Sequence, residues 1–104
     1  MSEDIVQTMV KRIVERFRPL RIVLFGSRAR GEAGKWSDVD LLVVLPEVAD
    51  KRKATVEILR ALGDLPVSKD VIVTTPEEIA RRGHIIGGVL RAALKEGKVV
   101  YERS

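Results

Sequence analysis

The chain has 104 residues, of which 45% are hydrophobic and 33% charged, with no cysteine and a formal net charge of +4. This length allows one domain with a modest core, and the missing cysteine excludes disulfides, thiolate metal sites and a cysteine nucleophile. No apolar run approaches the roughly 18 residues of a membrane span. The first residues, "MSEDIVQTMVKR", do not have the pattern of a secretory signal. We therefore expect a cytoplasmic protein without membrane contact.

Helices and strands alternate along the chain. Helices are predicted from apolar residues at helical spacing and from caps, such as Thr75-Pro76 followed by Glu78. Strands are predicted from short β-branched runs that end near glycine or proline. In chain order these elements are a helix over 2–18, a strand over 21–25, a basic turn over 26–35, a strand over 38–45, a helix over 49–62, a strand over 67–75, a helix over 76–96 interrupted near Gly87 and Gly88, and an edge strand over 98–102. The order predicts a single α/β (α+β) domain over residues 1–104, with a small sheet covered by helices.

Two aspartates, Asp38 and Asp40, lie two positions apart on the strongest predicted strand. Residues at this spacing point to the same face of a strand, so both carboxylates should project together. Two adjacent carboxylates repel each other and bind protons more tightly unless a cation lies between them. Magnesium takes one or two carboxylates together with substrate phosphates, so the pair predicts a metal site. The alternative for Asp38 is a strand-capping role after Ser37.

A second candidate feature, Gly26 and Ser27, directly follows the first predicted strand. A glycine there lets the backbone approach a ligand closely, and N–H groups at the start of a helical turn bind anions. Positive charge comes from Arg28, Arg30 and Lys35, of which Arg28 is the stronger candidate for phosphate; Arg30 could instead brace a carboxylate, and Lys35 is expected at the surface. Neither the P-loop nor the Rossmann glycine spacing is present. An anion cradle near a cation site predicts a pocket for a metal–triphosphate complex.

The combination of Gly26-Ser27, ten intervening residues and Asp38-x-Asp40 resembles the glycine-serine/aspartate-x-aspartate motif of the DNA polymerase beta-like nucleotidyltransferases. The stretch "GSRARG…SDVDLLV" is most similar to the minimal nucleotidyltransferase (MNT) group, and the resemblance covers nearly the whole chain. It implies the mixed sheet of the polymerase beta-like fold and a third carboxylate on a following strand, which Asp70 in "SKDVIV" matches.

The resemblance also implies roles for these residues. Two magnesium ions, or manganese in their place, would be bound by Asp38 and Asp40. Asp70 would complete one metal site and help to deprotonate the acceptor hydroxyl. The phosphates of ATP or another nucleoside triphosphate would be held by Gly26, Ser27, Arg28 and Arg30. The implied reaction is in-line attack on the α-phosphorus with loss of pyrophosphate.

Simpler interpretations compete at several positions. Asp70 could be an exposed residue at the start of its strand, paired with Lys69, and Lys69 itself is expected at the surface. The single histidine, His84, is expected to be structural. Trp36 is expected to pack under the loop, with stacking on a base as the alternative. The basic run over 51–53 predicts a solvated helix face.

The MNT resemblance implies a partner protein as well. Members of that family are antitoxins paired with helical HEPN RNases, and some transfer AMP from ATP to a tyrosine of the HEPN protein. Since the transferase core needs about 80 residues, we expect a partner chain to supply the acceptor. The leading hypothesis is therefore adenylylation of a HEPN toxin. The alternative is a catalytically silent antitoxin that neutralises its partner by complex formation.

The charge of the chain bears on the remaining hypotheses. A net charge of +4 suits an anionic partner such as a nucleotide. With four aromatic residues and no groove-reading motif, direct nucleic-acid binding is disfavoured. The absence of asparagine beside many charged residues is typical of a thermophilic source. Apolar residues of the first and last helices also allow a homo-oligomer.

Overall fold

The computed structural model describes residues 2–26, 38–83 and 88–103. In these ranges none of the helices is both long and apolar enough to cross a bilayer. The elements are α1 Ser2–Phe17, β1 Arg21–Phe25, β2 Val39–Val44, α2 Lys51–Ala61, β3 Lys69–Thr74, α3 Pro76–Arg82, α4 Val89–Glu96 and β4 Lys98–Glu102. Their order and the mixed α/β class confirm the prediction.

The four described strands form one sheet in the order β3-β2-β1-β4, which places β4 at an edge as predicted. β1 runs antiparallel to β2 and β4, whereas β2 and β3 are parallel. The end of β1 and the starts of β2 and β3 therefore meet at one end of the sheet. The register there pairs Phe25 with Asp40 and Asp40 with Asp70.

The two faces of the sheet carry different cores. The larger core lies against α1 and α2 and includes Val39, Leu41 and Val43 of β2. The smaller core includes Leu42 and Val44 from the same strand, packed with Ala93 of α4. Since side chains alternate along a strand, the side chain of Asp40 belongs to the face of the smaller core. Fully burying each large aliphatic side chain contributes about 1.5 to 3 kcal/mol, so the larger core dominates the stability of the fold.

Several element boundaries differ from the predictions because residues at the ends are used as caps or in turns. β2 begins at Val39, whose N–H donates to Ser68 O at 2.9 Å. α2 begins after Asp50, which caps the helix by accepting from the N–H of Lys53 at 3.1 Å. β3 ends before Thr75, because that residue is the N-cap of α3. The predicted interruption near Gly87 and Gly88 is confirmed, since residues 76–96 contain two helices, α3 and α4, with Gly88 as the N-cap of α4.

The predicted capping box forms only in part. Thr75 Oγ1 accepts from the N–H of Glu78 at 3.2 Å, as predicted. The carboxylate of Glu78 instead accepts from the buried hydroxyl of Thr74 at 2.6 Å and from Lys51 Nζ at 2.6 Å. Lys51 thus joins the start of α2 to α3, while residues 51–53 are all exposed, as the predicted solvated helix face requires.

Candidate functional site

Three carboxylates occupy the end of the sheet where β1 ends and β2 and β3 begin. Asp40 is half-buried, while Asp38 and Asp70 are exposed. The parallel register places Asp40 and Asp70 directly across from each other on neighbouring strands. We call Asp38, Asp40 and Asp70 the acidic cluster. The structure therefore places Asp70 across from Asp40, with Asp38 two residues before Asp40, at the same end of the sheet.

The members of the acidic cluster influence one another electrostatically. Burial raises the pKa of Asp40 because it disfavours the charged form, and the negative charges of Asp70 and then Asp38 raise it further. In the described part of the chain, no lysine or arginine forms an ion pair with any of the three. Within the described residues, the fold thus concentrates negative charge at this end of the sheet and pairs none of it with a lysine or arginine.

Gly26 begins the turn after β1 and lies directly against the acidic cluster. Its φ of +76° is in the region that favours glycine. A Cβ atom built on Gly26 would overlap Oδ2 of Asp40 and lie 3.2 Å from its Cγ. The backbone at this position therefore approaches the Asp40 carboxylate as closely as a residue without a side chain allows, and this contact accounts for the glycine physically.

Lys69 neither forms an ion pair with Asp70 nor lies free at the surface. It is half-buried, and its Nζ donates to Leu65 O at 3.1 Å and to Val67 O at 2.8 Å. The sequence alternative in which Lys69 neutralises Asp70 is therefore wrong. The sequence offered no signal for these carbonyl contacts, because the conformation of the preceding turn creates them.

Other predicted site residues lie outside the described ranges. These are Ser27, Arg28 and Arg30, proposed for phosphate binding, together with Lys35, Trp36 and His84. Their assigned roles stay predictions.

The acidic cluster has the donor chemistry of a site for a hard divalent cation. Among the described residues, no group of three or more histidine, aspartate or glutamate side chains is placed so that it could hold a metal ion. Magnesium, however, commonly uses only one or two carboxylates, with substrate phosphates and water as its other ligands. A pair such as Asp40 and Asp70 fits that requirement.

Comparison with known proteins identifies the family to which this chain belongs. The chain is a member of the nucleotidyltransferase domain family, whose family model matches residues 6–100.

Individual relatives agree with that family. A candidate protein adenylyltransferase of Methanocaldococcus jannaschii is 26% identical over 110 aligned positions, which cover 99% of this chain and 74% of that protein. The crystal structure of a candidate nucleotidyltransferase from Sulfolobus solfataricus has a TM-score of 0.67 at 22% identity, covering 96% of this chain and 79% of that one. A toxin-antitoxin structure with AMP-PNP has a TM-score of 0.57 at 17% identity, covering 93% of this chain and 73% of that one. The last two confirm the predicted fold.

Proposed function

We propose that this protein is a magnesium-dependent nucleotidyltransferase that transfers AMP from ATP to a hydroxyl group of a partner protein. The observation that carries the proposal is the contact between Gly26 and Asp40, with Asp70 across from Asp40 on the next strand. Burial and the neighbouring carboxylates raise the pKa of Asp40, so this arrangement does not stabilise the fold by itself. A bound divalent cation would offset the repulsion between the carboxylates.

Each predicted site residue has a role in this proposal, including Ser27, Arg28 and Arg30, which lie outside the described ranges. Asp38, Asp40 and Asp70 would hold the divalent cations, of which the family resemblance implies two. Gly26 lets the turn come close to the metal-bound phosphates, and Ser27 with Arg28 or Arg30 binds the β- and γ-phosphates. Bound divalent cations would neutralise the carboxylates and stabilise charge on the attacking and leaving oxygens.

The proposed reaction makes one bond and breaks one bond at the α-phosphorus. The acceptor oxygen bonds to phosphorus, the bond from phosphorus to the bridging oxygen of the β-phosphate breaks, and pyrophosphate leaves. Asp70 accepts the hydroxyl proton, for which its exposed position at the start of β3 leaves room. The arginines near Gly26 offset the charge of the departing pyrophosphate.

For the acceptor, we propose a tyrosine of a helical HEPN-type toxin, which would make this chain the antitoxin of a cytoplasmic pair. The resemblance of "GSRARG…SDVDLLV" to the MNT group supports this assignment. The relative named for protein adenylylation supports a protein acceptor and ATP. The similarity in fold to a component of a toxin-antitoxin structure with AMP-PNP is consistent with both.

The test is transfer of label from α-labelled ATP, with magnesium, into lysate of the source organism. Asp40→Asn keeps the shape of the side chain but removes its charge, and we expect labelling to fall by about a hundredfold or more, as when a charge-stabilising group is lost. The matched control is Asp50→Asn, because Asp50 caps α2 and asparagine caps a helix equally well. This control should label as the wild type does.

The other outcomes separate the alternatives. Equal labelling by Asp40→Asn and wild type would refute the assigned site. Label on RNA instead of protein would favour nucleic acid as the acceptor. If the wild type binds its partner but transfers no label, the protein is the catalytically silent antitoxin.

A further inference from the structure

The turn that leads into β3 is held by a lysine next to the acidic cluster. Lys69 Nζ donates to Leu65 O at 3.1 Å and to Val67 O at 2.8 Å. Leu65 O also accepts from the N–H of Val67 at 2.9 Å. Two carbonyls of a short segment are thus tied to one ammonium group, which closes residues 65–69 into a compact turn.

Ser68, which lies between Val67 and Lys69, connects this turn to β2 through a backbone hydrogen bond. Ser68 O accepts from the N–H of Val39 at 2.9 Å, and Val39 lies between Asp38 and Asp40 in the chain. Lys69 itself directly precedes Asp70 and pairs in register with Val39. The closed turn therefore connects to both strands that carry the acidic cluster, at the point where their aspartates are.

An ion pair fixes the residue just before this turn. Arg12 of α1 forms a two-pronged contact with Asp64, with Nη2 to Oδ2 at 3.1 Å, and donates to Ala61 O at 3.0 Å. This contact lowers the pKa of Asp64, with a smaller contribution from the charge of Lys69. Arg12 thus fixes Asp64 at the entry to the turn, while Lys69, the first residue of β3, donates the described side-chain hydrogen bonds to Leu65 O and Val67 O.

We propose that Lys69 is a positioning residue for the acidic cluster: by closing the turn over 65–69, it holds Asp70 and the start of β2 in the register that brings Asp40 and Asp70 together. Lys69 would act through the backbone and would touch neither nucleotide nor metal. The catalytic consequence rests on the proposed function, whereas the structural consequence does not.

The test compares Lys69→Met with Lys69→Arg. Methionine keeps the apolar stem but has no donor, while arginine keeps several donors that can reach the carbonyls. Two measurements need no catalytic turnover. One is hydrogen exchange at the Val39 amide, and the other is the affinity for magnesium alone, measured by calorimetry. Lys69→Met removes the hydrogen bonds that the charged ammonium donates, so we expect hydrogen exchange at the Val39 amide to be about tenfold faster. Magnesium binding should weaken by about ten- to a hundredfold, the range seen for groups that orient metal ligands. Lys69→Arg should restore most of both.

Lys51→Met is the matched control. Lys51 pairs with Glu78, which in turn contacts Thr74 at the far end of β3. Lys51→Met therefore also removes a lysine contact beside β3, but it leaves the turn over 65–69 intact. In Lys51→Met, hydrogen exchange at the Val39 amide should change only as much as the global stability changes. The affinity of this variant for magnesium should equal that of the wild type. In the transfer assay, Lys69→Met should lower kcat and shift the magnesium dependence upward, with little change in KM for ATP.

The outcomes distinguish this inference from the proposed function. If Lys69→Met and Lys51→Met behave alike in Val39 exchange and in magnesium binding, the inference is overturned. If Val39 exchange rises in Lys69→Met while magnesium binding and kcat stay at wild-type values, Lys69 only stabilises the turn and the positioning role is overturned. If the wild type neither binds magnesium nor transfers AMP, the proposed function fails, and Val39 exchange alone still decides whether Lys69 orders β2.

Discussion

Replacing Gly26 with alanine adds one methyl group at the closest approach between the β1 turn and the acidic cluster. The φ of +76° costs a residue with a Cβ about 1 to 2 kcal/mol. A less flexible unfolded chain offsets about 0.4 to 1 kcal/mol of that cost. The new Cβ would also overlap Oδ2 of Asp40 and lie 3.2 Å from Cγ, so the half-buried carboxylate must move. Overpacking of this kind costs about 1 to 3 kcal/mol, and the three contributions together lead us to expect a net destabilisation of about 1 to 5 kcal/mol.

A double-mutant cycle separates backbone strain from the collision with the carboxylate. We would measure the free energy of unfolding by urea denaturation for Gly26→Ala, Asp40→Ala and the double variant. Because Asp40→Ala removes the atoms that the new methyl group meets, Gly26→Ala should cost less in that background, with a coupling of about 1 kcal/mol or more. Gly63→Ala is the control, since its Cβ would lie 3.4 Å from Arg60 O, an ordinary contact. That variant should stay within about 0.5 kcal/mol of the wild type.

Two results would refute this reasoning. One is a Gly26→Ala variant as stable as Gly63→Ala, which would mean that the turn does not hold Gly26 at a positive φ. The other is strict additivity with Asp40→Ala, which would mean that Gly26 and the carboxylate do not meet. In either case the physical explanation for the glycine of the motif would be lost.

Three further predictions concern charge and packing. Asp40→Asn should be more stable than the wild type at neutral pH, since the raised pKa of Asp40 means that the fold disfavours its charged form. Thermal unfolding should show that this advantage disappears when the pH falls below the ordinary aspartate pKa of about 3.9. Glu78→Gln should show the opposite pH dependence, because the hydrogen bond from Lys51 lowers the pKa of Glu78. The wild type should be more stable than Glu78→Gln above about pH 4.3, and the difference should vanish as acid protonates Glu78 in the folded state. A stability difference that persists at pH 2 would contradict the ion pair between Lys51 and Glu78. Gly97→Ala should lose about 1 to 3 kcal/mol in urea unfolding, since a Cβ there would press on Val23 Cγ1 and on backbone oxygens; an unchanged midpoint would show that α4 can shift away from β1.

The local signals in the sequence predicted the elements well. The strands over 21–25 and 98–102 have the predicted bounds, because β-branched runs and the glycine or proline beside them act on neighbouring residues alone. The cap at Thr75 formed for the same reason, since an N-cap needs only its own side chain and an N–H three residues on. Gly26, Asp38 and Asp40 were recognised as candidates because their spacing lies within one strand-turn-strand unit.

Tertiary structure decided which of these candidates meet. Asp70 faces Asp40 only because β2 and β3 pair in parallel with that register, and no local pattern specifies a pairing between strands 30 residues apart. The partners of Lys69 and Glu78 were misjudged for a similar reason. The turn over 65–69 directs the ammonium of Lys69 to backbone carbonyls, and the fold places Lys51 of α2 within hydrogen-bond distance of Glu78 of α3. The sequence by itself determined which residue types were available, while the choice of partner for each charge depended on strand pairing and turn geometry that exist only once the chain has folded.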